Sequence, residues 1–318
     1  MNSTITFPTL NDLRSEDPDI RRLALTQLTD DDLELLRAAD ILPLLADEDS
    51  ATRLLAIRTL AELDDPSAIP ALLDAAADPD AEIAAAASAA LRDFRTRDAV
   101  DPLAAGVAHP SPKARAAAVA SLREHRSPRA LPALRAAAED ASREVRREVI
   151  LALVRLPHVY SMSILRWRLY DENVEVRRTA VAAIGSYRSP ETVAYIVRAL
   201  RDHDWPVRRE AAAVLASFPN PGVVLTLRRA LRDVQPQVVR EAIASLGKLR
   251  APVGAELVRF LDHDLAELRI AAIRAIGEIG HRAAYFQLAA LLSDNDASVV
   301  RAALGALDRI AASEAEAA

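Results

Sequence analysis

The segment DENVEVRRTAVAAI (Asp171–Ile184) returns as DHDWPVRREAAAVL at Asp202–Leu215, as DASREVRREVILAL at Asp140–Leu153 and as DNDASVVRAALGAL at Asp294–Leu307. Each copy carries an apolar anchor (Val176, Val207, Val145, Val299), followed eight residues later by a second (Ile184, Leu215, Leu153, Leu307). Extending the alignment in both directions gives ten anchors: Ile20, Thr52, Ile83, Ala114, Val145, Val176, Val207, Val238, Leu268 and Val299. They are 32 residues apart, then 31 six times, then 30 and 31. A second ladder, Leu72, Leu103, Leu134, Leu165, Ile196 and Leu227, keeps a spacing of 31 throughout. A fixed period of this length marks a repeat architecture.

Within a unit the apolar residues fall at helical intervals, as in Val193, Ile196, Val197 and Leu200, then Val176, Ala180, Val181 and Ile184. Each unit therefore reads as two helices. Pro66, Pro128, Pro190, Pro221 and Pro252 are placed at the first turn of the first helix, where a missing N–H costs nothing. Asp47, Asp78, Asp140, Asp171, Asp202, Asp233 and Asp294 precede the second helix as turn and capping residues. A two-helix unit of about 31 residues cannot bury its own apolar stripe, so neighbours must stack. The expected fold is all-α, a right-handed α-solenoid of about ten such units continuous over residues 1–312, with 313–318 as a frayed acidic tail.

The pattern D-x-D-x-x-V-R-x-x-A-x-x-A-L-G, with a following P-x-x-V-x-x-L, resembles the HEAT repeat in its short bacterial, phycobilisome-lyase-like form, over roughly residues 16–312. The resemblance implies that the second helices line a concave groove. It also implies that Arg146, Arg177 and Arg208 pair with the capping Asp of a neighbouring unit. Function is left open by it, because the architecture serves scaffolds, chromophore lyases, hydroxylases and DNA-repair proteins.

Candidate chemistry is thin. With no Cys among 318 residues there are no disulfides, thiolate metal sites or Cys nucleophile. The HEAT-like hydroxylases use His-Glu dipeptides to hold iron, and none occurs here. His109 and His263 stand where other units have the capping Asp, so they, with His203, read as turn residues and not as metal ligands. No G-x-S-x-G elbow, P-loop or G-x-G-x-x-G is found, and the glycines read as close helix packing or caps. The expectation is a non-enzyme with no cofactor and no metal. Met1–Thr6 does not begin a signal peptide and no apolar run is long enough for a membrane span, which reads as cytoplasmic. Of 40 basic residues only Lys113 and Lys248 are Lys, which suits a high-GC bacterial genome.

Charge is distributed unevenly. The net −6 resolves into −12 over residues 1–100, +10 over 101–250 and −4 over 251–318. Arg147, Arg178, Arg209 and Arg240 recur at the repeat interval within the basic middle, two positions past the anchor. On the family resemblance this row faces the groove. Glu144, Glu148, Glu175, Glu210 and Glu241 lie beside it and offset part of it. Seven of the twelve aromatic residues fall between 160 and 218, among them Tyr170, Tyr187 and Trp205. Trp205, ahead of Pro206, reads as the exposed anchor, and Trp167 as core. Arg147, Arg178, Arg209, Arg240, Trp205, Tyr187 and Tyr170 are the candidate partner-binding residues.

The expected function is a protein-binding scaffold or assembly adaptor that grips an acidic partner, in a role such as maturation of a cofactor-bearing enzyme. The acidic arm is expected to meet a second partner. Two readings compete with it: a tetrapyrrole (bilin or haem) lyase or chaperone, prompted by the repeat subtype, and nucleic-acid binding, prompted by the basic middle. Interleaved acids favour a protein over a bare phosphate track.

Overall fold

The computed structural model describes residues 11–156 and 158–315; Met1–Thr6 and the end of the acidic tail lie outside the described residues. Every regular element among the described residues is helical. The chain divides into two compact units, Met1–Ile164 and Leu165–Ala318.

The first unit runs α1 (Pro18–Thr26), α2 (Asp30–Leu35), α3 (Ala38–Ile41), α4 (Ser50–Leu63), α5 (Ile69–Ala75), α6 (Ala81–Asp93), α7 (Val100–Ala105), α8 (Pro112–His125), α9 (Leu131–Ala137) and α10 (Arg143–Leu153). Next comes α11 (His158–Arg168), which carries the boundary. The second unit continues with α12 (Val174–Ser186), α13 (Val193–Ala199), α14 (Trp205–Leu215), α15 (Pro221–Ala230), α16 (Pro236–Lys248), α17 (Gly254–Leu257), α18 (Ala266–Ile279), α19 (Tyr285–Ala290) and α20 (Ala297–Ala315). In the first unit the second helices α4, α6, α8 and α10 pack one on the next, with α5, α7 and α9 as a second layer. In the second unit α12, α14, α16, α18 and α20 do the same beside α13, α15, α17 and α19. Each unit is thus an α-solenoid of stacked helix pairs.

Side-chain chemistry explains the regularity. Nine of the ten anchors are buried, at most 2% exposed. Ile20 is the exception at 42%, since the described residues ahead of α1 supply one short 3-10 turn and no first helix to cover it. Most second helices are entered through a carboxylate turn: the side chains of Asp47, Asp140, Asp171, Asp202, Asp233 and Asp294 accept the N–H two residues on, at 2.8–3.0 Å. Pro66, Pro128 and Pro190 open a 3-10 turn that leads into the first helix, whereas Pro252 lies in the bend two residues ahead of α17.

The exits from the second helices follow a longer rhythm. Asp64, Arg126, Arg188 and Arg250, each 62 residues from the last, take left-handed backbone with φ of 47°, 49°, 50° and 47°. In the intervening repeats the exit is plugged by a buried side chain, Phe94, Leu156 and Phe218, again 62 apart. From α4 to α16 the exits therefore alternate in pairs of repeats, and the alternation ends at α18, whose exit at Gly280 is again left-handed with φ of 73°. Close approach is marked by Gly247 and Gly277, where an added Cβ would come to 2.8 and 2.9 Å of the Cα atoms of Ala275 and Ala306. The final helix extends through Ala315.

Candidate protein-binding surface

Most arginines in the repeat register are consumed by the fold. Arg208 on α14 donates to both carboxylate oxygens of Asp233 in the next turn (2.7 and 2.9 Å) and to the Asp202 and His203 carbonyls of its own turn (2.8 and 3.0 Å). Arg21, Arg115 and Arg177 repeat the clasp on Asp47, Asp140 and Asp202, and Arg269 repeats it on Asp294. Arg146 holds the Asp140 and Ala141 carbonyls at 2.8 and 3.0 Å and is buried. The pairing expected for Arg177 and Arg208 is present. Asp233 titrates below the usual carboxylate range: burial pushes it upward, but the Arg208 hydrogen bonds, the Gln235 N–H and the Arg208 charge outweigh burial. The Asp233 hydrogen bond raises Arg208, against burial.

Histidine replaces the carboxylate at two turns, as the sequence suggests. The Nδ1 atoms of His109 and His263 accept the Ser111 and Leu265 N–H groups at 3.1 and 3.0 Å, the role Asp has elsewhere. The helix preceding each of these turns has Ala84 or Val239 where the clasping Arg stands. A carboxylate there would lie against no guanidinium, and a neutral imidazole caps the turn without that charge. Among the described residues Asp202, His203 and Asp204 could converge on a cation. The Arg177 guanidinium already occupies the convergence point, 3.0, 3.2 and 2.7 Å from the three side chains.

The candidate row on the second helices is largely neutralised. Arg147 lies 3.1 Å from Glu148. Arg178 bonds Glu175 at 2.7 Å and lies 3.5 Å from Glu210, and the Glu175 bond raises its pKa against burial. Arg240 approaches Glu267 at 3.9 Å. Arg209 has no ion pair among the described residues and sits 5.8 Å over the half-buried Trp205 ring. Tyr187 is half-buried at the end of α12.

Tyr170 belongs elsewhere. It follows α11, 55% exposed, with the Arg198 guanidinium of α13 stacked 4.9 Å above its ring. Arg166 stacks in the same way on Tyr195, at 4.7 Å. Tyr170, Tyr195 and Arg198 line a hollow of about 650 Å³ whose walls also include Leu169, Ala194, Val197, Arg201 and Asp202. Trp167, expected in the core, is 70% exposed. It sits in the last turn of α11, where the helix turns that residue outward; the core positions there are Ile164 and Leu165. Trp167 is thus the more exposed of the two tryptophans, and Trp205 is half-buried. No described helix is long and apolar enough to cross a membrane.

Comparison with known proteins bears on the fold. No curated protein matches the sequence. Among solved structures, yeast importin-β (Kap95p) is similar at 18% identity with a TM-score of 0.68, over 99% of this chain and 52% of that one. A Kap95:Nup1 complex gives the same figures. Escherichia coli YibA is similar at 20% identity and a TM-score of 0.54, over 83% of this chain and 97% of that one. The chain spans about half the length of the importin-β chains, and at these identities the likeness is one of fold. The HEAT-repeat model matches residues 8–92, 38–112, 100–166, 162–247 and 254–318; it is the general model, and the lyase-like subtype is a finer reading than it supports. With repeats matched along nearly its whole length, the chain belongs to the HEAT-repeat family.

Proposed function

We propose that this protein is a non-catalytic scaffold that binds an acidic partner protein through its basic segment. The observation that carries the reading is the set of guanidinium and aromatic side chains between residues 166 and 232 that face water, Arg198, Arg201, Arg229 and Arg232, which make no ion pair among the described residues, together with Trp167 and Tyr170. A stable monomer gains nothing from exposing a Trp amid unneutralised charge, and Trp, Tyr and Arg are the residue types that dominate binding hot spots. Protein complexes formed by importin-β, which shares the fold, lend the reading support.

On this account Arg178, Arg209 and Arg240, with Trp205 and Tyr187, form a second-helix contact row in the second unit, and Arg147 holds the matching register position in the first. Their neighbouring glutamates make it a register of alternating sign, suited to selecting a partner more than to raising affinity. An adaptor role, such as maturation of a cofactor-bearing enzyme, would use the acidic arm as well. There Asp30, Asp31 and Glu34 are exposed with Leu35, which is 82% exposed, and offer a surface for a second, basic partner.

The test is affinity co-purification from the native host with wild type and with Arg147, Arg178, Arg209 and Arg240 all changed to Glu, helicity being verified first. A defined protein recovered with wild type and depleted with the variant supports the second-helix row. No discrete protein recovered with wild type at low or moderate salt contradicts the scaffold reading.

A further inference from the structure

The first helices carry a row that the fold does not require. Asp74, Ala105 and Ala136 occupy one exposed register position on α5, α7 and α9 in the first unit. In the following repeats the same position is Trp167, Arg198 and Arg229, equally exposed. Three residues on, Ala77, Ala108 and Glu139 give way to Tyr170, Arg201 and Arg232. Position, solvent exposure and helix type are matched, so small or acidic side chains satisfy the repeat, and the switch to Arg and aromatics answers to something outside it. Among the described residues Arg198, Arg201, Arg229 and Arg232 make no ion pair; the carboxylates that share a hollow with the row, Asp202, Asp233 and Glu256, are held by Arg177, Arg208 and Arg228.

We infer that the first-helix face of residues 165–232 is a docking surface for an acidic protein segment that presents an apolar side chain. This rests on the scaffold reading above and assigns the partner to a face that the second-helix row does not include. Charge complementarity sets the sign of the occupant. A guanidinium stacked on a tyrosine ring keeps its N–H edge free to take a carboxylate in a bidentate pair. The apolar part follows from the hollow of about 650 Å³ lined by Tyr170, Tyr195, Leu169, Ala194 and Val197, whose one carboxylate, Asp202, is already held by Arg177. A leucine or aromatic side chain seated there would be ringed by Arg198 and Arg201, with carboxylates on either side reaching Arg229 and Arg232. A phosphodiester backbone would use the charges and leave the apolar wall unfilled.

The probe is a short fluorescein-labelled peptide of Asp and Glu about a central Leu-Trp pair, followed by fluorescence anisotropy against the full chain. Controls are the same peptide with Gly-Ser at its centre and a single-stranded oligonucleotide of similar charge. The expected result is saturable binding, weakened about tenfold or more by Arg198→Glu, Arg229→Glu and Arg232→Glu together. The Gly-Ser peptide should bind several-fold less tightly than the Leu-Trp one. Changing Arg92, Arg97 and Arg274, exposed arginines outside both rows, to Glu should leave the affinity within about twofold. All six side chains reach solvent, and the corresponding Arg→Gln variants give the same comparison with less charge change. Binding that is absent, insensitive to the first-helix variant, or weaker than that of the oligonucleotide overturns the inference. If a protein partner is still recovered from the host in that case, the scaffold reading stands and only the assignment of this face falls.

Discussion

Replacing Arg208 by Val tests whether the clasp or the apolar stripe locks one repeat to the next. The substitution removes two hydrogen bonds to Asp233 and two to the Asp202 and His203 carbonyls, from a pair in which both side chains are only 12% exposed. Asp233 is left with the Gln235 N–H at 2.9 Å. Breaking a buried pair from one side costs about 3–5 kcal/mol, and with a water-accessible edge we expect about 2–4 kcal/mol here. The protein contains the remedy: where Val239 replaces the clasping Arg, His263 replaces the carboxylate. Arg208→Val with Asp233→His should therefore recover about 1–2 kcal/mol of the loss, since an uncharged imbalance in hydrogen bonding costs less than an unpaired charge. Urea unfolding followed by far-UV circular dichroism at neutral pH, on wild type, both single variants and the double, gives the cycle. A double variant no more stable than Arg208→Val would refute the argument that the unpaired carboxylate is the source of the cost.

Three further outcomes follow from the same structure. Asp47, Asp140, Asp233 and Asp294 all titrate below their ordinary value. A carboxylate depressed in the folded state stabilises it fully above the unfolded pKa of about 3.9 and loses that contribution as pH falls through the folded value; the urea midpoint should be flat from about pH 6 to 5 and drop below about pH 4, and a midpoint unchanged down to pH 3 would count against the clasps. Gly247→Ala sets a Cβ 2.8 Å from the Ala275 backbone and should cost about 1–3 kcal/mol, whereas Gly305→Ala meets nothing nearer than 3.9 Å and should gain up to about 1 kcal/mol of helix propensity; equal midpoints for the two would contradict the packing described. Arg188→Gly at φ 50° should raise stability by about 0.5–1 kcal/mol in thermal melts, and a loss would show that its side chain is needed there.

The repeat was legible because the apolar anchors and turn carboxylates recur in every unit and the physics of each is local: a helix stripe, an Asx turn, a proline at an entry. The pairing of Arg177 and Arg208 with neighbouring carboxylates came from the family resemblance, and the structure agrees. His109 and His263 could be read as turn residues from register alone, and their hydrogen bonds agree. What escaped was the pairing of repeats. Alignment at 31 residues sets the left-handed Arg126 against Arg95, next to the buried Phe94, and only a period of 62 residues tells the two kinds of exit apart. The exposure of Trp167 escaped too, although the signal was present: its register partners Asp74, Ala105 and Ala136 are not core residues. The first helices are short and pass into tight turns, so periodicity fixes their buried stripe poorly. The neutralisation of Arg178 by Glu175 was foreshadowed by spacing, but its extent needed rotamers.

The central claim is that a protein partner contacts the basic segment, and site-specific photo-crosslinking in the native host tests it most directly. A benzophenone amino acid would replace Trp167 or Tyr195 on the first-helix face, Tyr187 near the second-helix row, or Arg58 in the acidic arm as a control. The account predicts one discrete protein adduct from Trp167 and Tyr195 that disappears when Arg198, Arg229 and Arg232 are changed to Glu, and no such adduct from Arg58. The absence of a discrete adduct from every position in the basic segment, or an adduct from Arg58 alone, would contradict it.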